Sequence, residues 1–178
     1  SLEKDYALFG RLSKVANGEN PLRITLQRFV LRALLEDVLV AASARLKTMS
    51  RGRYDLQVAR QPEGGRGSSG LELEVADAWT GGTRPAATLS GGEGFLASLS
   101  LALGLADVVQ SRAGGIHLDA VFVDEGFGTL DEDVLELAMR VLTDLRAGGR
   151  MVGIISHVQQ LRERIGTRLE VLADRESS

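Results

Sequence analysis

Apolar residues recur at helical spacing through the first 50 residues. Residues 1–16 place them at approximately coiled-coil spacing, and a second stretch from Leu22 to about Met49 repeats them every four positions. Between the two stretches, residues 17–21 read Asn-Gly-Glu-Asn-Pro, which is typical of a break. The pattern predicts two helices. The first spans only two heptads, so a short amphipathic helix and the root of a longer coiled coil both stay open.

Strict alternation of apolar and polar residues follows the second helix. Residues 54–59 and 71–76 alternate in this way and predict an antiparallel strand pair. The Gly/Ser-rich residues 61–70 between them predict a mobile loop. They do not form a phosphate loop, which ends in Gly-Lys-Ser/Thr, because the last lysine of the chain is Lys47. Residues 78–87 are expected to be irregular.

The second half of the chain alternates long helical stretches with short apolar runs. The pattern predicts, in order, a helix over 91–112 stopped by Gly114-Gly115, a strand over 120–123, a helix over 131–146 stopped by Gly148-Gly149, a strand over 151–155, a short helix over 158–165 and a last strand over 167–172. Strand, helix and strand in this order predict parallel strands. The wholly apolar run 120–123 is typical of a strand buried on both faces. The class is therefore α/β, with a parallel sheet flanked by helices and an added antiparallel strand pair.

The helix predicted at 91–112 begins with a distinctive turn. Ser90 and Glu93 have capping-box spacing, and Gly91 and Gly92 leave the backbone open to a close approach. A helix N-terminus carries free N–H groups and partial positive charge, so a phosphate is the ligand it would most naturally accept. Taken alone, these residues fit a capped core helix without a ligand equally well.

Polar side chains follow both predicted parallel strands. Asp124 and Glu125 end the first, and His157 follows the second. Ligands of open α/β sheets bind at the carboxyl ends of the strands, so we expect these three side chains at one place. Asp124 would hold Mg²⁺, Glu125 would act as general base on a water, and His157 would contact the terminal phosphate or that water. The acids of Asp131-Glu132-Asp133 have a simpler explanation, which is that they complement a helix dipole.

Composition bounds the remaining possibilities. The 178 residues are 44% apolar and 25% charged, which fits a single globular domain over 1–178. The chain has no cysteine, so disulfides and thiol chemistry are excluded and a cytoplasmic location is expected. No run of 18 or more residues is wholly apolar and no secretory signal is visible, so we expect no membrane partner.

The net charge of −3 is unevenly distributed. Residues 1–60 carry a net charge of +5, and residues 61–178 carry −8. A basic surface along the second helix suggests contact with a DNA backbone, while solvated helix faces explain the same charges. The candidate basic residues are Arg23, Arg28, Arg32, Arg45, Lys47, Arg51 and Arg53.

Four motifs occur in a fixed order. They are Leu-Ser-Gly-Gly-Glu at 89–93, Val-Phe-Val-Asp-Glu at 121–125, Gly-Phe-Gly-Thr-Leu-Asp at 126–131 and Ser-His at 156–157. They resemble the signature, Walker B, D-loop and switch histidine of the C-terminal half of an ABC-type ATPase head. Over most of residues 22–172 the sequence strongly resembles the SbcC family, the ATPase subunits of SbcC–SbcD DNA exonucleases.

The resemblance implies roles for the candidate residues. Two heads would sandwich two ATP molecules, and the signature of one head would meet the γ-phosphate held by the other. Asp131 would lie at the dimer junction, while Glu125 and His157 would be catalytic and Asp124 would bind Mg²⁺. The implied nucleotide-binding residues are Ser90, Gly91, Gly92, Glu93 and Asp131.

The resemblance also implies partners. A long coiled coil would separate the two halves of each head, with residues 1–16 as the foot of its returning arm. The chain lacks the phosphate loop and Q-loop, so we expect an N-terminal half to supply them and Mg²⁺-dependent ATP hydrolysis to require both halves. The further partners implied are a second head, an SbcD-type nuclease and DNA.

Three alternatives carry less weight. An SMC- or RecN-type chromosome-organising ATPase would lack the nuclease partner, but Glu-Gly-Phe after the signature glycines and Gly-Phe-Gly in the D-loop favour SbcC. A transporter ATPase fits poorly with a coiled-coil root. A non-enzymatic interaction module would not be expected to keep Asp124, Glu125 and His157 together.

Overall fold

The computed structural model describes residues 2–21, 23–59, 71–112, 114 and 118–171. Their elements, in chain order, are α1 (Leu2–Ala16), α2 (Leu26–Met49), β1 (Tyr54–Val58), β2 (Leu73–Asp77), β3 (Gly82–Pro85), α3 (Gly91–Arg112), β4 (Ala120–Asp124), α4 (Glu132–Ala147), β5 (Met151–Ile155) and α5 (Gln159–Arg164). Short 3₁₀ turns at Ala86–Thr88 and Phe127–Thr129 precede α3 and α4. The predicted loop at 61–70 lies outside the described residues.

Helix α2 begins later than its apolar pattern predicted. Its N-cap is Thr25, whose hydroxyl accepts a hydrogen bond from the Arg28 backbone N–H at 3.3 Å. A threonine at this position satisfies one of the free amides of the first turn, which explains why the helix starts at Leu26 and not near residue 22. The end at Met49 agrees with the prediction.

The first sheet contains one strand more than predicted. β1 and β2 pair antiparallel as expected, with Leu56 opposite Val75. The stretch expected to be irregular contains β3, which pairs antiparallel with β2 and places Arg84 opposite Val75. This strand, Gly-Thr-Arg-Pro, is short and mostly exposed, so it has no apolar alternation to reveal it.

The second sheet consists of two parallel strands joined by α4. β4 and β5 pair in parallel, with Val123 opposite Ile154, as the strand–helix–strand order predicted. The expected burial of β4 on both faces is wrong. Val123 is buried, but Phe122 on the other face is 66% exposed and lies over Gly153, where an added Cβ would be 2.5 Å from the ring. The described residues cover only one face of this strand.

The C-terminal strand predicted over 167–172 is absent from residues 167–171, which have no regular secondary structure. Leu169 is 93% exposed and Val171 is 88% exposed, so their alternation has no neighbouring strand to pack on. Leu172 lies outside the described part of the chain. The alternation of apolar residues therefore predicted a strand wrongly, because no neighbouring strand among the described residues pairs with this segment.

The core lies between α2, α3, α4 and the two sheets, and α3 crosses α2 closely within it. At the crossing, a Cβ on Gly104 would lie 2.7 Å from the carbonyl oxygen of Val38, so only glycine allows this approach. Among the described residues, α3 is long and apolar enough to cross a membrane by length and composition alone, since an 18-residue window has mean hydropathy 1.4 and 33% of that window is buried. Six residues of α3 are buried, and four of these belong to the hydrophobic core.

Candidate functional site

The predicted capping box at the start of α3 is confirmed. The Ser90 backbone N–H donates to Glu93 Oε2 at 3.0 Å, and the Glu93 backbone N–H donates to Ser90 Oγ at 3.4 Å. Ser90 and Gly91 are exposed. The first turn of α3 is therefore closed internally by two reciprocal bonds while its tip faces solvent.

The Glu93 carboxylate has further partners in the first sheet. The Tyr54 hydroxyl donates to Oε1, Arg84 Nη2 lies 3.3 Å from Oε2, and Arg53 Nη1 lies 3.6 Å from Oε1. Burial of this carboxylate opposes its ionisation. Hydrogen bonds from Tyr54, Ser90 and Arg84 outweigh that effect and lower its pKa to about 2. Glu93 is thus held as an anion between α3 and the antiparallel sheet.

Arg53 is itself held rigidly. Its guanidinium donates to both carboxylate oxygens of Asp77, at 2.8–3.1 Å, and lies 4.6 Å from the Tyr54 ring centre and 4.4 Å from that of Trp79. The hydrogen bond from Arg53 lowers the pKa of Asp77. The sequence predicted only a possible DNA contact for Arg53 and did not reveal this group, because its members come from the start of β1 and the end of β2, about 24 residues apart in the chain.

The two signature glycines pack against the D-loop of the same chain. A Cβ on Gly92 would lie 2.9 Å from the carbonyl oxygen of Thr129, and one on Gly91 would lie 3.8 Å from Thr129 Cγ2. The sequence predicted that another group comes close at these glycines. At Gly92 that group is the backbone of its own chain, and the signature turn and the D-loop are therefore adjacent.

The backbone turns sharply after Asp124. Asp124 is the last residue of β4 and is exposed, and Glu125 and Gly126 both have left-handed conformations, with φ of 58° and 92°. A positive φ is uncommon for glutamate and costs free energy. The Glu125 N–H donates to the Ile155 carbonyl at 2.9 Å, which ties this turn to the end of β5.

His157 and Glu125 meet at the ends of the parallel strands, as predicted. His157 Nδ1 lies 3.0 Å from Glu125 Oε2 and 3.2 Å from Oε1. The side chains are 81% and 49% exposed, respectively. The structure therefore brings the two predicted catalytic side chains together on an open edge, directly after Asp124.

The family resemblance implies a divalent metal, and this edge fits a site shared between the protein and a nucleotide. Among the described residues no group of three or more His, Asp or Glu side chains could hold a metal by itself. Mg²⁺ is usually bound by one or two carboxylates together with waters and substrate phosphates. Asp124 offers one such exposed carboxylate.

Asp131 caps α4. Its Oδ1 accepts a hydrogen bond from the Val134 N–H at 2.9 Å, and Glu132 and Asp133 follow in the first turn. The helix-dipole explanation for these acids therefore agrees with the structure. Asp131 is also exposed, and its predicted place at a dimer junction stays a prediction.

Several candidate DNA-contacting residues are engaged in ion pairs. The pairs are Arg32 with Glu36, Arg45 with Asp107, Lys47 with Asp55, Arg51 with Asp133 and Arg53 with Asp77. These contacts reduce the positive charge that the second helix presents. They give most of this basic set a role within the fold.

Known proteins resemble this chain over nearly its whole length. Proteins named as the SbcC component of the nuclease SbcCD are 55% identical over 178 residues in Vibrio cholerae, 54% over 154 residues in Treponema pallidum and 46% over 175 residues in Staphylococcus aureus. These alignments cover 100%, 86% and 98% of the chain. The chain spans only 15–18% of the length of these relatives.

Solved structures show the fold. A chain from work on ATP-driven dimerization and DNA-stimulated activation of SMC ATPases has a TM-score of 0.61 at 15% identity, covering 83% of this chain and 84% of that one. The SMC head domain from Thermotoga maritima has a TM-score of 0.51 at 18% identity, covering 79% and 44%. The predicted fold class, a lobe of an ABC-type ATPase head, is thereby confirmed.

The family model described as SbcC/RAD50-like, Walker B motif, matches residues 50–144. The match extends from the junction of α2 and β1 into α4, so it includes the signature turn, the acids after β4 and the D-loop. Together with the relatives above, it settles the family that the motifs suggested. The chain belongs to the SbcC/RAD50-like family.

Proposed function

We propose that this chain is the signature and Walker B half of an ABC-type ATPase head in a DNA-end-processing complex of the SbcC–SbcD kind. The observation that carries the proposal is the contact between Glu125 and His157 beside Asp124, at the ends of two adjacent parallel strands. Hydrolysis of a phosphoanhydride needs a residue that orients or deprotonates the attacking water and a metal that neutralises the phosphate charge. Glu125 suits the first task and Asp124 the second, at the edge of the sheet where ligands of open α/β folds bind.

The residues of this edge have distinct tasks. A Glu125 oxygen accepts the proton of the attacking water, and His157 Nδ1 holds that carboxylate in place from 3.0 Å. Asp124 would hold Mg²⁺, which supplies charge neutralisation on the phosphate oxygens when it is bound with ATP. The positive φ of Glu125 takes the backbone out of the extended path of β4.

The signature turn serves a second head. Ser90 and Gly91, at the tip of α3, are exposed, and with the N–H groups of this turn they would engage the γ-phosphate of an ATP held by the phosphate loop of the partner head. Gly91 and Gly92 belong to this contact, and Asp131 would lie beside it at the junction.

The complex contains further components under this proposal. They are an N-terminal half with the phosphate loop and Q-loop, a coiled coil rooted at α1, an SbcD-type nuclease gated by ATP hydrolysis, and DNA, in the cytoplasm. The names of the relatives, at 46–55% identity, favour a nuclease partner over the SMC- or RecN-type alternative. The likeness to SMC heads, at 15–18% identity, reflects the fold alone.

The central experiment joins this chain with an N-terminal half and measures Mg²⁺-dependent ATP hydrolysis with and without DNA. Turnover should require both halves and the metal. Ser90→Arg should block ATP-dependent dimerisation while each head still binds ATP. Hydrolysis by this chain alone, or normal dimerisation of Ser90→Arg, would contradict the proposal.

Contact with DNA is tested on the exposed part of α2. Reversing the charges of Arg28 and Arg32 should weaken salt-sensitive DNA binding by the complete head. Reversal of Arg140, which pairs with Glu136 on α4, is the control. DNA affinity unchanged by the α2 reversal would remove this face from the interface.

A further inference from the structure

The Glu93 carboxylate lies where α3 meets the antiparallel sheet. Tyr54 at the start of β1, Arg53 just before it and Arg84 on β3 all contact this carboxylate. Both of its oxygens therefore already have partners within the chain. The family resemblance placed Glu93 among nucleotide-binding residues, but these contacts direct its side chain toward the chain's own sheet.

A capping box needs only the serine and the glutamate, and this site is more elaborate. Arg84 Nη1 also donates to the backbone carbonyl of Thr88 at 2.7 Å and to its hydroxyl at 3.0 Å. One guanidinium thus binds the segment that enters the helix and the glutamate that closes its first turn. Ser90, between the two, is fixed from both sides.

The other side of the site is equally constrained. Tyr54 is 3% exposed, and Arg53 stacks on its ring while holding the buried carboxylate of Asp77. The Tyr54 backbone is also anchored, because its N–H donates to Ser50 Oγ at 3.1 Å. The hydroxyl that reaches Glu93 is therefore presented by a rigid residue.

We propose that Tyr54 and Arg84 are positioning residues for the signature turn. They hold Glu93, and with it Ser90 and the free N–H groups of α3, in the orientation that engages a phosphate on a second head. This inference rests on the proposed function and deepens it. Because engagement and hydrolysis depend on alignment within a fraction of an ångström, loosening this turn should lower head dimerisation and kcat without weakening ATP binding by a single head.

The test uses the complete ATPase, with both halves of the head present. Tyr54→Phe removes one hydroxyl and keeps the ring, Arg84→Lys keeps the charge but loses the planar fork, and Arg84→Ala removes both. We expect kcat to fall about threefold in Tyr54→Phe and at least about tenfold in Arg84→Ala, with Arg84→Lys between them. ATP affinity of the dilute, monomeric head should stay at the wild-type value.

A matched control and a double variant sharpen the result. Arg112, at the other end of α3, pairs with Asp37, and Arg112→Ala should leave kcat and dimerisation unchanged. Tyr54→Phe combined with Glu93→Ala should be no worse than Glu93→Ala alone, since both changes remove the hydrogen bond from Tyr54 to Glu93. Independent, multiplicative losses would show that Tyr54 acts elsewhere.

Two results would overturn the inference. One is wild-type dimerisation and kcat in both Tyr54→Phe and Arg84→Ala, and the other is a parallel loss of single-head ATP affinity. If Arg84→Ala fails to fold, the isosteric Tyr54→Phe decides. Failure of the proposed function would look different. In that case the wild-type head would not dimerise with ATP at all, so Ser90→Arg would have no dimerisation to block.

Discussion

Two glutamates of this chain, Glu93 and Glu125, occupy opposite kinds of environment. Glu93 is 26% exposed, contacts two arginines and a tyrosine, and has its pKa lowered to about 2. Glu125 is 49% exposed, contacts His157 and sits on a left-handed turn. A carboxylate fixed by many donors serves to hold structure, whereas a general base needs an accessible and lightly engaged carboxylate. Glu93 therefore belongs to a preorganised turn, and Glu125 belongs to an open reactive edge.

The largest effect should come from breaking the open edge. Glu125→Gln removes the proposed base and keeps the size of the side chain, so hydrolysis by the complete head should fall about 10²–10⁴-fold. ATP binding should persist, and dimers should accumulate because the closed state no longer turns over. Steady-state hydrolysis and size-exclusion chromatography measure the two outcomes. Glu136→Gln, on the exposed face of α4, is the control, and normal turnover in Glu125→Gln would disprove the assignment.

The contact between the signature turn and the D-loop should give the next largest effect. Gly92→Ala places a Cβ 2.9 Å from the Thr129 carbonyl, whereas Gly94→Ala, in the same helix, meets nothing within 4 Å among the described residues. Both changes gain the same helix propensity, so their difference isolates the clash. We expect Gly92→Ala to be about 1–3 kcal/mol less stable than Gly94→Ala in urea unfolding of the complete head. Equal stabilities of Gly92→Ala and Gly94→Ala would show that the backbone around Gly92 shifts to accommodate the added Cβ at little cost.

Glu93 should make the free energy of unfolding depend on pH in the acid range. Its folded pKa of about 2 lies below the ordinary value of 4.5, so its contribution is complete above about pH 4.5 and is lost as the pH falls toward 2. Between pH 5 and pH 3, wild type should lose on the order of 1–2 kcal/mol more unfolding free energy than Glu93→Gln, after allowance for its partial exposure. Paired urea titrations of wild type and Glu93→Gln measure this difference, and equal pH dependence in the two would contradict it.

The smallest effect is expected for Ser100, a buried polar residue without hydrogen bonds like those of Glu93. Ser100 in α3 is fully buried, and its Oγ has no hydrogen-bond partner among the described residues. Removing an unsatisfied hydroxyl relieves a desolvation cost, so Ser100→Ala should leave stability unchanged or raise it by up to about 1 kcal/mol. A clear loss of stability would mean that the hydroxyl is satisfied in the complete head.

Local patterns predicted most of the elements. The capping box follows from the three-residue spacing of Ser90 and Glu93, and the meeting of Glu125 with His157 follows from two apolar runs that end in polar residues. β3 escaped prediction because Gly-Thr-Arg-Pro has no alternation, and the strand over 167–172 was predicted wrongly because alternation alone cannot supply a partner.

The sequence by itself determined the family, the fold class and the residues at the ends of the parallel strands, because these depend on short motifs and on periodicity. Only the tertiary structure decided what surrounds the signature turn. Tyr54 and Glu93 are 39 residues apart, and Gly92 meets Thr129 across the strand β4 that lies between them in the chain. Such contacts arise from the packing of separate elements, which no local pattern encodes.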